Sequence, residues 1–363
     1  MSFAPQYRAR VRLPAEWEPQ AGTMLTWPHR YGDWGDLLPA AHRAMADFAA
    51  VVARFQPLLI VCYDEPHQRS IIEALAERGV SPVQISFVLC PSNDVWARDH
   101  GPLTVYREGA LPLLLDFSFN GWGNKFPAEL DNQLVRRLHA AGAFGDVDYR
   151  RIDWVLEGGA IESDGQGTIL TTRRCLLDEN RSPDLSQQQV EILLRDWLGA
   201  QRVLWLEHGE LEGDDTDGHI DMLARFCSVD TIAYTACDDP GDSHYESLQA
   251  MEAELRSLRT AHGEPYRLLP LPWPRPAHAD DGHRLPLSYA NFLIVNGGVI
   301  VPAYDDPADA KAIAVLQQAF PDREVIPSPA LPIIVQHGSL HCLSMQLPAG
   351  IELPGCGRTL IAS

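Results

Sequence analysis

The chain has 363 residues, 45% of them hydrophobic, with 49 acidic against 29 basic side chains and a formal net charge of -20. That balance argues against a nucleic-acid partner, because phosphate contacts need a basic surface, and it suits attraction of cations, although solubility alone accounts for charge taken by itself. No run approaches a membrane span, and Met1 to Pro14 carries arginines but no apolar core of a secretion signal, so a cytoplasmic protein with no membrane contact is expected.

Residues 13 to 34 read as turns followed by a short strand around Met24 to Trp27. Apolar residues at helical spacing (Leu37, Ala41, Ala44, Met45, Phe48, Val52) predict a helix over 36–55 that stops at Pro57. Leu58 to Cys62 is a short apolar strand, Pro66 to Arg78 a helix ended by Gly79, and Val83 to Leu89 a second strand. A polar and aromatic loop, Ser92 to Pro102, leads to strands at Leu103 to Tyr106 and Leu111 to Phe117. The glycine and aromatic loop Asn120 to Phe126 comes before a helix over 130–141. Trp154 to Thr172 reads as a hairpin turning at Asp164-Gly165, and Ser186 caps a helix over 187–198. After a strand at Val203 to Leu206, the acidic loop Gly213 to Gly218 runs toward strands ending at Phe226 and Thr235. A helix over 244–259, an extended proline-rich stretch, a hairpin around Asn296-Gly297, a helix over 309–320 and a strand at Glu324 to Ile326 follow. No low-complexity linker divides the chain. A unit of loop, strand, turn, strand, helix and strand recurs about five times, which suggests units packed around a centre with the loops at one end facing a common cavity.

Seven cysteines are present, at 62, 90, 175, 227, 237, 342 and 356, and none has C-x-x-C spacing, so neither a zinc ribbon nor a redox dithiol is expected. Cys342 follows the small-residue turn Gly338-Ser339 and sits beside His341. Taken alone it is a small buried apolar residue, with a nucleophile as the sharper alternative. His219-Ile220-Asp221 would share one face of a strand. It reads as a surface pair, as a metal site short of further ligands, or as an acid/base beside a cation-binding carboxylate. Asp99 before Gly101-Pro102 looks like a turn residue, and Glu157 before Gly158-Gly159 like an exposed charge at the start of a hairpin.

Together the stretches Trp96 to Pro102, Glu157 to Gly159, Gly218 to Asp221 and His341-Cys342, with the opening Pro14 to Pro19 and the Asn291 to Gly297 hairpin, resemble the agmatine deiminase family, related to bacterial peptidyl-arginine deiminase. The resemblance covers nearly the whole chain. It implies a single catalytic domain over 1–363, an α/β fold of five pseudo-symmetric propeller blades of the pentein type, and hydrolysis of a small cationic guanidine, agmatine. Cys342 matches the nucleophile, His219 the acid/base, Glu157 the residue that orients it, Asp99 and Asp221 the guanidinium clamps, and Trp96 a further substrate contact. No metal or organic cofactor is implied, and a homodimer stays open. Two departures, Gln336-His337-Gly338-Ser339 in place of a glycine run and the loop after Trp122, leave free or peptidyl arginine as an alternative substrate and a non-catalytic guanidine-binding relative as a third reading. Arg98 and Arg225 are expected to be partners for nearby acids. The acidic loop residues Asp94, Asp214, Asp215 and Asp217 are expected to favour a dication over the carboxylate of arginine.

Overall fold

The computed structural model describes residues 10–355 and 357–362, so Cys356 lies outside the described residues. Its five sheets share one pattern of pairing. In each, an antiparallel pair is extended by a parallel third strand reached through a helix. The first runs Leu103–Arg107, Leu113–Ser118 and Asp148–Val155, with helix Leu134–Ala140 in the crossover. The second runs Ile161–Ser163, Thr168–Thr172 and Arg202–Leu206 around helix Gln187–Leu198. The third runs Ala224–Ser228, Thr231–Thr235 and Arg267–Leu271 around Tyr245–Ser257, and the fourth Leu293–Val295, Gly298–Ala303 and Glu324–Pro329 around Asp309–Ala319. In the fifth, the late strand Ser344–Pro348 pairs antiparallel with Gln20–Thr26, which continues through helix Leu38–Ala53 to Leu58–Cys62. An early strand and a late strand of the described chain thus meet in one sheet.

Local chemistry explains these elements. Helix Leu38–Ala53 buries Ala41, Ala44, Met45, Phe48 and Val52 as their spacing predicts, whereas Leu37, expected on the same face, lies before it in the 3-10 turn Gly35–Leu37 and is exposed. Helix Gln187–Leu198 opens on a capping box between Ser186 and Gln189 and closes on Gly199 at φ 75°, a left-handed position that suits glycine. The fully buried run Leu58–Cys62 separates two apolar clusters: Leu58, Ile60 and Cys62 join one, Leu59 and Val61 the other, as strand alternation requires. Among the described residues no helix is long and apolar enough to cross a membrane.

Candidate active site

Each of the five units places one loop immediately before its first strand, and these loops carry the chemistry. Asp99 lies in the short helix Ala97–His100 before strand 103–107, and Glu157 precedes the 3-10 turn Gly158–Ala160 before strand 161–163. His219 and Asp221 come before strand 224–228, Asn291 before 293–295 and Cys342 before 344–348. The shared strand face expected for His219 and Asp221 is not what unites them. Ile220–Met222 is a 3-10 turn with His219 at its N-terminal flank. The two side chains meet because both converge on Gly159: a Cβ there would lie 2.6 Å from His219 Nδ1, 2.9 Å from Asp99 Oδ1 and 3.1 Å from Asp221 Oδ2.

Cys342 Sγ accepts a hydrogen bond from Asn291 Nδ2 at 3.2 Å and lies 3.6 Å from Asp221 Oδ2. Asn291 Oδ1 accepts from the amides of His341 (2.9 Å) and Cys342 (3.3 Å), so one side chain fixes both the turn and the thiol. The Asp221 oxygen facing the thiol is held by His341 Nδ1 at 2.7 Å, and His341 Nε2 reaches Glu16 at 2.8 Å. Its other oxygen, Oδ1, is buried without a partner. Asp99 accepts from Trp122 Nε1 at 2.9 Å and from the Gly159 amide at 3.0 Å. His219 stands 3.7 Å from Asp99 and 3.9 Å from Glu157, and neither ring nitrogen has a hydrogen-bond partner. Arg181 Nε holds both Glu157 oxygens at 2.9 Å and Arg181 also reaches Asp217 at 2.8 Å. Polar atoms kept dry and unpaired cost free energy, so Asp221 Oδ1 and the His219 nitrogens are poised to pair with something that enters.

Burial disfavours every charge here, and partners decide the outcome. Burial, then the carboxylates of Asp221 and Asp99, push the Cys342 thiol well above its ordinary range, so it rests protonated. Burial also raises Asp99. Burial, the largest single influence, would raise Asp221, but the His341 hydrogen bond together with the positive charges of His341, His219 and Arg225 outweighs it and holds Asp221 below the usual range. Burial would lower His219, but Asp99, Cys175 and Glu157 lift it well above the usual imidazole value. Glu157 is held low against burial by His219 and Arg181. Among the described residues two triplets have metal-ligand chemistry: Glu157, Cys175 and His219, and Glu16, Glu162 and His341. The second is already filled by Arg225, which bonds both Glu16, at 2.6 Å, and Glu162. Arg98 bonds Gln346 at 2.5 Å and approaches Glu16 at 4.0 Å, so both arginines partner nearby groups as expected.

A cavity of about 240 Å³ opens above Cys342. Its wall includes Trp96, Asp99, Trp122 and Phe126, with Asp33, Asp94 and Asp215, and no lysine or arginine. Burial pushes Asp94 up to about 6, with Asp33 and Asp215 adding to it, and burial pushes Asp215 to about 6 as well. Two acids expected at the cavity are otherwise engaged. Asp217 is paired with Lys125 (2.6 Å) and Arg181, and Asp214 accepts from the Gly218 amide at 2.7 Å. Asp221, Glu157 and His219 lie behind the wall, fully buried. Gly338 makes room for Trp96, whose ring a Cβ would meet at 2.2 Å.

Residues 12–348 match the family described as Porphyromonas-type peptidyl-arginine deiminase. An agmatine deiminase of Pseudomonas aeruginosa is 37% identical over 360 residues, covering 93% of this chain and 95% of that one. The chain belongs to the agmatine deiminase family. Among solved structures, a Cys-to-Ser variant of C. jejuni agmatine deiminase with substrate bound is similar, at 35% identity and TM-score 0.87 over 96% of this chain and 99% of that one. A Porphyromonas gingivalis protein provisionally described as an arginine deiminase is 46% identical with TM-score 0.87, over 94% of this chain and 99% of that one. Within this family member the sequence reading missed Arg181, Trp122 and Asn291 as site contacts, and the bridge from Asp221 through His341 to Glu16. Glu16 and Asn291 stood in motifs that carried the resemblance, which was the available signal. Arg181 stands in no motif.

Proposed function

We propose that the chain hydrolyses agmatine to N-carbamoylputrescine and ammonia, acting as one catalytic domain of five propeller blades in the cytoplasm. The observation that carries this reading is the cavity. A buried thiol lies at its floor beside two carboxylates, four aspartates line its wall, and no lysine or arginine there would receive a substrate carboxylate.

The guanidinium enters between Asp99 and Asp221, whose oxygens take its N–H groups. Trp96 packs against its planar face. Its positive charge offsets part of the negative field of the two carboxylates that hold the thiol protonated, so substrate binding itself favours the thiolate. Cys342 Sγ attacks the guanidinium carbon. The thiol proton passes to solvent as the guanidinium enters; His219 then protonates one NH2 group of the tetrahedral adduct, the C–N bond breaks, ammonia leaves and His219 is left neutral. An S-alkylthiouronium remains on Cys342. His219 then takes a proton from a water that attacks the same carbon, the C–S bond breaks, and the thiol and a urea product are released. Glu157, fixed by Arg181, keeps His219 charged for the first half. Asp94 and Asp215, with Asp33 at the mouth, would hold the distal ammonium.

The 46% identity to the P. gingivalis protein supports a second reading, with arginine as substrate. Competition at equal concentrations decides between them. Agmatine is expected to be preferred at least ~100-fold, about 2.7 kcal/mol, since a carboxylate in this cavity is unpaired. Citrulline formed at a comparable rate would overturn the agmatine reading.

A further inference from the structure

The mechanism makes no use of Cys175, yet this thiol sits beside the acid/base. Its sulfur, a His219 ring nitrogen and a Glu157 oxygen all lie within 4.8 Å of one another, and all three residues are fully buried. Sulfur, imidazole and carboxylate form the ligand set of a soft divalent cation such as zinc, with one corner open. A second observation points the same way: both ring nitrogens of His219 are buried with no hydrogen-bond partner. The Cys175 end is anchored, because Thr172 caps the short helix Arg173–Leu176 through the Cys175 amide. The other buried triplet is more fully engaged: Arg225 bonds two of its three members, whereas Arg181 bonds only Glu157 of this one.

We propose that Cys175, His219 and Glu157 form a zinc-binding site whose occupation switches the deiminase off. Zinc bonds to the His219 nitrogen and the Cys175 sulfur, and each gives up a proton to solvent. Two protons are exchanged for one dication, so the net charge of the pocket is unchanged and Arg181 can stay on Glu157. The metal replaces the proton on the His219 nitrogen that faces Glu157, so His219 is no longer the charged imidazolium that the first half of the reaction needs. Because protons compete with zinc for both ligands, inhibition tightens as pH rises. The loss of activity rests on the proposed role of His219; the binding does not.

Cobalt(II), a spectroscopic stand-in, separates the two. In full-length Cys342→Ser protein, cobalt is expected to give thiolate-to-metal absorption in the near ultraviolet, which disappears in the Cys342→Ser, Cys175→Ser double variant. In Cys342→Ser protein without buffer, zinc is expected to release about two protons per site, a readout that needs no change at Cys175. In otherwise unchanged enzyme, the zinc concentration for half inhibition should rise at least ~10-fold in both Cys175→Ser and Cys175→Ala, each measured against its own activity in chelator. Zinc inhibition indifferent to both substitutions, or no cobalt absorption in Cys342→Ser protein, overturns the site. Absorption and proton release without loss of activity overturns the switch and with it the His219 role.

Discussion

Gly159→Ala is a steric test of the site that leaves every ionisable group in place. The glycine φ lies outside the left-handed region, so the alanine backbone fits and only space is missing. The added methyl would lie 2.6 Å from His219 Nδ1, 2.9 Å from Asp99 Oδ1 and 3.1 Å from Asp221 Oδ2, all closer than ordinary contact. Three side chains must therefore move, each by several tenths of an ångström, and all three touch the reacting group in the proposed mechanism. Overpacking of this size costs roughly 1–3 kcal/mol of stability, a modest fall in Tm. The catalytic cost is larger, because misplacement approaching 1 Å can cost ~100-fold, about 2.7 kcal/mol of transition-state stabilisation. Steady-state kcat/KM with agmatine, beside a thermal melt, measures both. Gly32→Ala is the control, since its nearest neighbour would be at 3.5 Å and it should change neither. A Gly159→Ala enzyme that stays folded and within tenfold of the parent would refute convergence of the site on this glycine.

Replacing Arg181 by Met strips Glu157 of its buried partner, at a cost of ~3–5 kcal/mol in stability. Glu157 titrates below its ordinary value, so its contribution is present above the usual Glu range and is lost as pH falls through the depressed value. Without Arg181 that value rises, and acid unfolding should begin at higher pH; melts across pH that superimpose after correction for the constant loss would refute this. Asp215→Asn should raise KM for agmatine but not for butylguanidine, which has no distal ammonium; equal effects on both would remove Asp215 from the amine end. As Asp94 and Asp215 take up protons near pH 6, KM for agmatine should climb below that pH while KM for butylguanidine stays flat. Cys342→Ser should lose turnover yet still bind agmatine by calorimetry, and retention of more than a few per cent of activity would count against the nucleophile.

Much of this arrangement could be read from residues alone, for reasons that also explain the failures. Short-range signals survive: Ser186 and Gln189 fix a helix start, Asn296-Gly297 a hairpin, and the recurring unit the five similar sheets. Motif residues Asp99, Glu157, His219, Asp221 and Cys342 are brought together as expected. The 3-10 turn at Ile220–Met222 was not readable, because it is set by packing against Gly159 from another unit. Arg181 and Cys175 were invisible for a similar reason. Arg181 meets Asp217 across a separation of 36 residues, and Cys175 meets His219 only where two sheets converge. Charge counting also overshot: Asp217 contributes nothing to the field in the cavity once Lys125 and Arg181 are bound to it.

The central claim is that Cys342 bonds covalently to the guanidinium carbon. Mixing the enzyme with agmatine, quenching in acid within the first turnovers and mapping peptides by mass spectrometry tests it directly. The peptide bearing Cys342 should gain the mass of agmatine less ammonia, and the gain should be absent after complete turnover. Product formed with no such adduct at any quench time, or an adduct on a different residue, would contradict it.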